Sequence, residues 1–199
     1  MRKLSLRKIA LTAMLAAISA LLMMLEIPIP IVPSFIKLDF SDLPALIAAF
    51  AYGPVSGVVV CLLKNLIHLA FTQTAGVGEL ANFLLGAVFV LPAGLFYRKN
   101  KDRKHALIGT LFGALLMALA AFPVNYFITY PFYYTFIPES TIINMCQSIL
   151  PFIRSIPQSL LIFNMPFTFV KGLLDCALAF LLYKRISPLL KGKKGVDKS

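Results

Sequence analysis

Apolar residues form long blocks along this chain, and prolines, glycines or charged residues close each block. A helix that crosses a bilayer needs about 20 mostly apolar residues. The blocks therefore predict six membrane-spanning helices, at residues 9–27, 43–52, 55–72, 80–97, 106–130 and 160–183. The second block is short, and a tight turn at Gly53 and Pro54 separates it from the third.

Three segments without a helical pattern are predicted to be loops on the outer side of the membrane: 28–42, 73–79 and 131–159. The first contains Pro28, Pro30 and Pro33, and such prolines are incompatible with a regular helix. We therefore expect a structured loop there.

The composition makes lipid the natural surroundings of this chain. Of its 199 residues, 59% are apolar and only 14% are charged, whereas soluble domains average about 25% charged residues. Residues 1–199 are predicted to form one all-α membrane domain. The first apolar block is longer than a signal-peptide core and lacks a cleavage site, so we expect it to be retained as a span.

The net charge of +11 does not indicate nucleic-acid binding, because most basic residues flank apolar blocks. Such flanking clusters are typical of cytoplasmic loops and attract anionic lipid headgroups. With a cytoplasmic N-terminus, the basic loop 98–105 and the basic tail 184–199 lie on the same side only if there are six spans. The basic clusters are Arg2, Lys3, Arg7 and Lys8; Arg98, Lys99, Lys101, Arg103 and Lys104; and Lys184, Arg185, Lys191, Lys193, Lys194 and Lys198.

Motifs for catalysis or metal binding are missing from the sequence. It has no phosphate-binding loop for ATP and no HExxH motif. His68 and His105 are far apart, and we expect His68 to be a packed or interfacial residue. The three cysteines lack metal-binding spacing. We therefore predict neither an enzyme nor a resident cofactor or metal.

Polar groups inside apolar blocks are costly, so they usually face a bundle interior and mark a site. Here they concentrate in the half of each span nearest the predicted outer loops. Asn164 and Lys171 share one helix face because they are seven residues apart. The full set is Lys64, Asn65, Glu79, Asn82, Asn125, Asn164, Lys171 and Asp175. This pattern predicts an outward-facing pocket.

The same polar residues also have structural explanations. Lys171 has Asp175 one helical turn away as a possible partner. Lys64 is able to pair with a neighbour or extend to an interface. Glu79 suits the first turn of a helix electrostatically, and Asn125 is placed to satisfy backbone groups freed by a nearby proline.

Two stretches carry a family resemblance. The segment KLDFSDLPALIAAFAYGPVSGVVVCLLKNLIH and the later GVGELANFLLG resemble the riboflavin-binding S components of energy-coupling factor (ECF) transporters. The resemblance implies a subunit of the bacterial cell membrane that binds riboflavin at its outer face. It implies as partners a transmembrane T component and two ATPases, and a toppling movement that releases the vitamin inward.

The resemblance also implies which residues meet each partner. Amides and Lys171 would address the isoalloxazine ring, and Glu79 would accept hydrogen bonds from the ribityl chain. The expected ligand-binding residues are Leu38, Asp39, Phe40, Glu79, Asn82, Asn125, Asn164, Thr168 and Lys171. The first span has small residues at helical spacing, which let helices approach closely. Tight packing within the chain is one explanation, and docking of the T component at Ala13, Ala16, Ala17 and Ala20 is the other.

Other functions are also compatible with the sequence. The same scaffold would serve FMN or another vitamin. A different class is a stand-alone channel, transporter or membrane-embedded enzyme. A channel would need polar residues through the full membrane depth, and an enzyme would need a paired catalytic set.

Overall fold

The computed structural model of the protein describes residues 6–191, so the predicted basic residues Arg2 and Lys3 and the tail beyond Lys191 lie outside the described part. The helices are α1 Leu6–Met24, α2 Asp42–Tyr52, α3 Pro54–His68, α4 Val77–Lys99, α5 Arg103–Val124, α6 Tyr130–Tyr133, α7 Glu139–Gln147, α8 Ile156–Ser159 and α9 Met165–Lys191. Two short strands, β1 Ile27–Pro28 and β2 Lys37–Leu38, pair antiparallel.

Within the described residues, five helical segments are long and apolar enough to cross a membrane. They are Leu6–Met24, Pro54–Phe71, Val77–Lys99, Arg103–Tyr133 and Ile156–Leu182. They correspond to five of the six predicted spans, with ends that agree within a few residues. The remaining predicted span, 43–52, is the 11-residue helix α2. At 1.5 Å per residue it is about 16 Å long, roughly half the thickness of a hydrocarbon core.

Helix α2 lies in the centre of the bundle. All residues from Asp42 to Phe50 are buried, and the helix packs against α1, α3, α4 and α9. Small residues allow this close approach, because a Cβ added at Gly57 of α3 would lie 2.8 Å from Ala49 Cβ. The continuous apolar pattern of α2 is therefore explained by neighbouring helices on every side.

The Pro-rich segment after α1 is structured, as predicted, and forms a short β-hairpin. Ile27 pairs with Leu38 and Pro28 pairs with Lys37. Proline has no N–H to donate to a neighbouring strand, so it is tolerated where the edge of the strand is open. A salt bridge of 2.5 Å joins Lys37 Nζ to Glu26 Oε2 beside the hairpin. We call the end of the bundle that carries this β-ribbon the hairpin end.

The predicted outer loop 131–159 is shorter than expected at both ends. After α5 the chain continues through a π-helical segment, Asn125–Thr129, into α6. On the other side, α8 leads through a second π-helical segment, Leu160–Asn164, into α9. The prolines at 131 and 157 lie in the first turns of α6 and α8, where a missing N–H is tolerated. Helix α7, of nine residues, lies within the remaining segment 134–155.

The alanines of α1 divide between two faces. Ala16 and Ala20 are buried against the rest of the chain, whereas Ala13 and Ala17 are exposed. Ala16 and Ala20 therefore fit the packing explanation, and docking of a partner on α1 stays a prediction, for which Ala13 and Ala17 are the accessible residues.

Candidate ligand-binding site

A cavity of about 560 Å³ opens at the hairpin end of the bundle. This volume falls within the range of about 300–1,000 Å³ that is usual for small-molecule sites. Seven of the nine residues expected to bind ligand line it: Asp39, Glu79, Asn82, Asn125, Asn164, Thr168 and Lys171. The other two, Leu38 and Phe40, are half-buried but do not line it.

The floor of the cavity is an ion-pair cluster at the first residue of α2. Asp42 Oδ1 accepts a 2.6 Å hydrogen bond from Lys64 Nζ, and Asp42 Oδ2 lies 3.2 Å from Lys171 Nζ. Lys64 Nζ also donates to Ser41 Oγ at 2.6 Å. Lys64 has no exposed surface, so its possible extension to an interface is excluded. Pairing with a neighbour was the correct alternative.

Lys171 pairs with the hairpin segment and not with Asp175. Its Nζ donates to Asp39 Oδ2 at 2.8 Å, while the Asp39 Oδ1 atom accepts from the backbone N–H of Ser41 at 2.8 Å. Two aspartates and two lysines thus form a compact cluster with balanced charges.

Asp175 lies beyond this cluster and is fully buried. Neither of its carboxyl oxygens has a hydrogen-bond partner among residues 6–182, whose side chains the structure describes. The structural bridge considered between Lys171 and Asp175 is therefore wrong, and Asp175 does not line the cavity.

Glu79 stands at the rim of the cavity, in the first turn of α4. His68 Nδ1 lies 2.8 Å from Glu79 Oε1. The hydroxyls of Thr72 and Thr74 donate to Glu79 Oε2 at 2.9 Å and 3.1 Å. The carboxylate therefore organises the connection between α3 and α4. His68 itself lines the cavity, so the expectation of a packed or interfacial histidine understated its position.

Three amides line the wall between floor and rim. Asn125 Nδ2 donates to the backbone carbonyl of Ala121 at 2.7 Å, which is the backbone role considered for a residue near a helix irregularity. Asn82 Oδ1 lies 3.4 Å from Asn65 Nδ2. In the described chain, Asn164 Oδ1 is buried and has no hydrogen-bond partner. Asn164 thus brings a buried, unused acceptor to the cavity.

Aromatic side chains complete the wall. Tyr130, Tyr133, Phe35 and Phe167 line the cavity, and the rings of Phe35 and Tyr130 meet edge to face with centroids 6.3 Å apart. Both tyrosines lie in the helical continuation of α5: Tyr130 is the last residue of the predicted span 106–130, whereas Tyr133 falls in the predicted loop 131–159. The aromatic run FITYPFYYTF was the sequence signal for this aromatic wall. Where its side chains lie depends on the π-helical turn.

A half-enclosed cavity with amides, aromatic rings and a charged floor, built into a bundle of apolar helices, defines a membrane-embedded protein that binds a small polar molecule. Comparison with known proteins gives the particular family. The sequence profile described as "ECF transporter, substrate-specific component" matches residues 7–186. The chain belongs to this family, and it is a multi-pass bacterial membrane protein.

Individual relatives agree with the family assignment. The chain is 34% identical over 185 residues to the riboflavin transporter RibU of Staphylococcus aureus (strain TCH60), with 93% of each chain covered. It is 28% identical to the riboflavin transporter FmnP of Bacillus subtilis (strain 168), with 94% of this chain and 96% of that one covered. A solved structure of the S component of a bacterial ECF transporter superposes with a TM-score of 0.73 at 33% identity, covering 94% of this chain and 98% of the other.

Proposed function

We propose that the protein captures riboflavin at the outer face of the membrane and delivers it inward together with a T component and two ATPases. The observation that carries this proposal is the cavity at the hairpin end, which combines amides, aromatic rings and a buried lysine, with the buried Asn164 Oδ1 atom unpaired. The relatives named as riboflavin transporters support the choice of ligand.

The arrangement of polar groups favours one orientation of the ligand. The isoalloxazine ring would lie between the tyrosines and α9, where Asn125, Asn164 and Lys171 offer hydrogen bonds to its carbonyls and ring nitrogens. The ribityl chain would extend along Asn82 and Thr168 towards the rim at Glu79. Aromatic stacking and a few convergent polar groups are the usual means of holding such a ring.

The same proposal fixes the direction of the bundle. Helix α2 and the segment that descends to it from the hairpin act together as a sixth crossing, with both termini in the cytoplasm. Irregular backbone at membrane depth is tolerated where protein surrounds it. Protein surrounds the first residue of α2 in this way. The basic loop 98–105 then faces the cytoplasm, as the positive-inside bias requires.

Energy for transport would come from other subunits, because the sequence contains no ATP-binding loop. The T component would dock on α1, where Ala13 and Ala17 are exposed at a spacing of four residues. Small exposed residues allow a partner helix to come close in lipid. The protein itself would have a binding role and no catalytic one.

Absorbance of the purified protein tests the choice of ligand. Protein from cells grown with riboflavin should be yellow, with a flavin-to-protein ratio near unity. Protein freed of ligand should quench the fluorescence of added riboflavin. A colourless protein that leaves riboflavin fluorescence unchanged would contradict the proposal.

A further inference from the structure

The carboxylate of Glu79 has little capacity left for a ligand. A carboxylate offers about four acceptor positions, and three of them are taken by His68, Thr72 and Thr74. Only 5% of the Glu79 surface is exposed. Glu79 is therefore placed to hold its neighbours, and two of these, His68 and Thr74, line the cavity.

The contact with Glu79 fixes the hydrogen-bonding character of His68. An ionised carboxylate only accepts hydrogen bonds, so the neutral imidazole must carry its proton on Nδ1. Its Nε2 is then an acceptor. His68 lines the cavity, and Nε2 makes no hydrogen bond within the described residues. The lone pair of His68 Nε2 at the rim of the cavity is thus available to accept a hydrogen bond from an O–H or N–H donor.

Positive charge at the cavity is already neutralised. Lys37 and Lys171 are the lysines that line it in the described chain. Lys37 Nζ is bound to Glu26 Oε2 at 2.5 Å, and Lys171 Nζ is bound to Asp39 Oδ2 at 2.8 Å. A phosphate group carries up to about two negative charges and offers strong acceptors. At this rim it would face an acceptor nitrogen and a carboxylate.

From these contacts we infer that His68, positioned by Glu79, is a specificity-determining residue that accepts a hydrogen bond from an uncharged hydroxyl of the ligand and disfavours a phosphate ester at the same place. The inference rests on the proposed function, because it assigns the rim to the flexible chain of a flavin. It separates riboflavin from FMN, which differ only at the end of that chain.

Three ligands distinguish this role from a structural one. Riboflavin has the hydroxyl chain, FMN adds the phosphate, and lumiflavin has the ring without the chain. Quenching of flavin fluorescence at pH 8 gives the affinity of the purified protein for each. The unchanged protein should prefer riboflavin to FMN by about tenfold or more, the effect of an unmatched polar group at a binding site.

Two substitutions test the residues themselves. His68→Gln supplies an amide that both donates and accepts, so the preference for riboflavin should shrink about fivefold to tenfold. Glu79→Gln removes the carboxylate that fixes the tautomer of His68. It should therefore also reduce the preference for riboflavin over FMN. Affinity for lumiflavin should stay within about twofold in both variants, because lumiflavin has no ribityl chain to reach the rim. Larger losses of affinity are typical of a lost hydrogen bond.

His105→Gln is the matched control. His105 has the same kind of contact, with Nδ1 2.8 Å from Asp102 Oδ2, but it lies in the basic loop and does not line the cavity. The His105→Gln substitution should leave the affinities for riboflavin, FMN and lumiflavin unchanged.

The outcomes separate the inference from the proposed function. Absence of binding to any flavin contradicts both. If riboflavin binds but FMN binds equally well, or if His68→Gln leaves the ratio unchanged, the role of His68 is wrong while riboflavin capture stands. Equal losses for lumiflavin and riboflavin would assign His68 to structure alone.

Discussion

Lys171 and Asp39 are 132 residues apart in the chain, yet Lys171 Nζ lies 2.8 Å from Asp39 Oδ2. This bond joins the last long helix to the segment that descends from the hairpin. It fixes the position of a lysine that the proposed function assigns to the ligand. If the proposed function is correct, ligand binding and the folded position of the hairpin segment depend on one shared group.

Substituting Lys171 should affect stability as well as binding. Lys171→Met leaves Asp39 without its nearest counter-charge, and breaking a buried pair from one side costs about 3–5 kcal/mol. The double variant Lys171→Met with Asp39→Asn should recover much of that loss, because Asp42 retains Lys64 at 2.6 Å. Thermal unfolding in detergent measures the recovery. A double variant no more stable than Lys171→Met would contradict the cluster as the source of the loss.

The unused acceptor of Asn164 should make this residue more important for binding than for folding. Asn164→Ala is expected to weaken riboflavin binding about tenfold to a hundredfold, the cost of a polar ligand group left unpaired. The melting temperature should change little. Asn144→Ala provides the matched control, since Asn144 is an exposed amide on α7. Fluorescence titration of both variants decides the point, and equal affinities would remove Asn164 from the site.

Gly86 should be intolerant of even a methyl group. A Cβ at this position would lie 2.9 Å from Asp42 Oδ1 and 3.1 Å from Cys61 Sγ. Gly86→Ala is therefore expected to destabilise the fold by about 1–3 kcal/mol through overpacking. Adding Cys61→Ala should restore only part of this, because the contact with Asp42 remains. Full restoration in the double variant would show that the cluster tolerates the methyl group.

The two faces of α1 should separate folding from transport. Ala13→Leu and Ala17→Leu change exposed positions, so riboflavin binding by the purified protein should persist while uptake by cells is reduced. Ala16→Leu adds volume at a buried position and should lower stability by about 1–3 kcal/mol. Uptake measurements in cells that contain the partner subunits, compared with binding and melting of the pure protein, test both statements. Normal uptake with leucine at both exposed positions would place the docking surface elsewhere.

The long helices could be predicted from the sequence because bilayer thickness sets their length and lipid sets their composition. Their predicted ends agree with the structure within a few residues for α3 and α4. The extension of α5 to Tyr133 was missed, since Pro131 normally marks a helix end. A π-helical turn precedes it and places the proline in a new first turn.

Seven of the nine residues expected to bind ligand line the cavity, but their contacts could not be predicted. Buried polar groups are rare in an apolar chain, so Lys64 and Lys171 stood out from composition alone. Which aspartates they pair with depends on how the hairpin segment descends between helices, and no local spacing encodes that. The role of His68 was likewise missed because its partner Glu79 lies across a loop, eleven residues away.

The burial of α2 also bears on the electrical insulation of the membrane. Below the charged floor, Leu46, Ala48 and Ala45 have no exposed surface, and Val60, Phe89 and Val90 close around them. Such a close-packed apolar layer leaves little room for a continuous file of water along which ions or protons could pass. We therefore expect a membrane rich in this protein to keep the voltage across it.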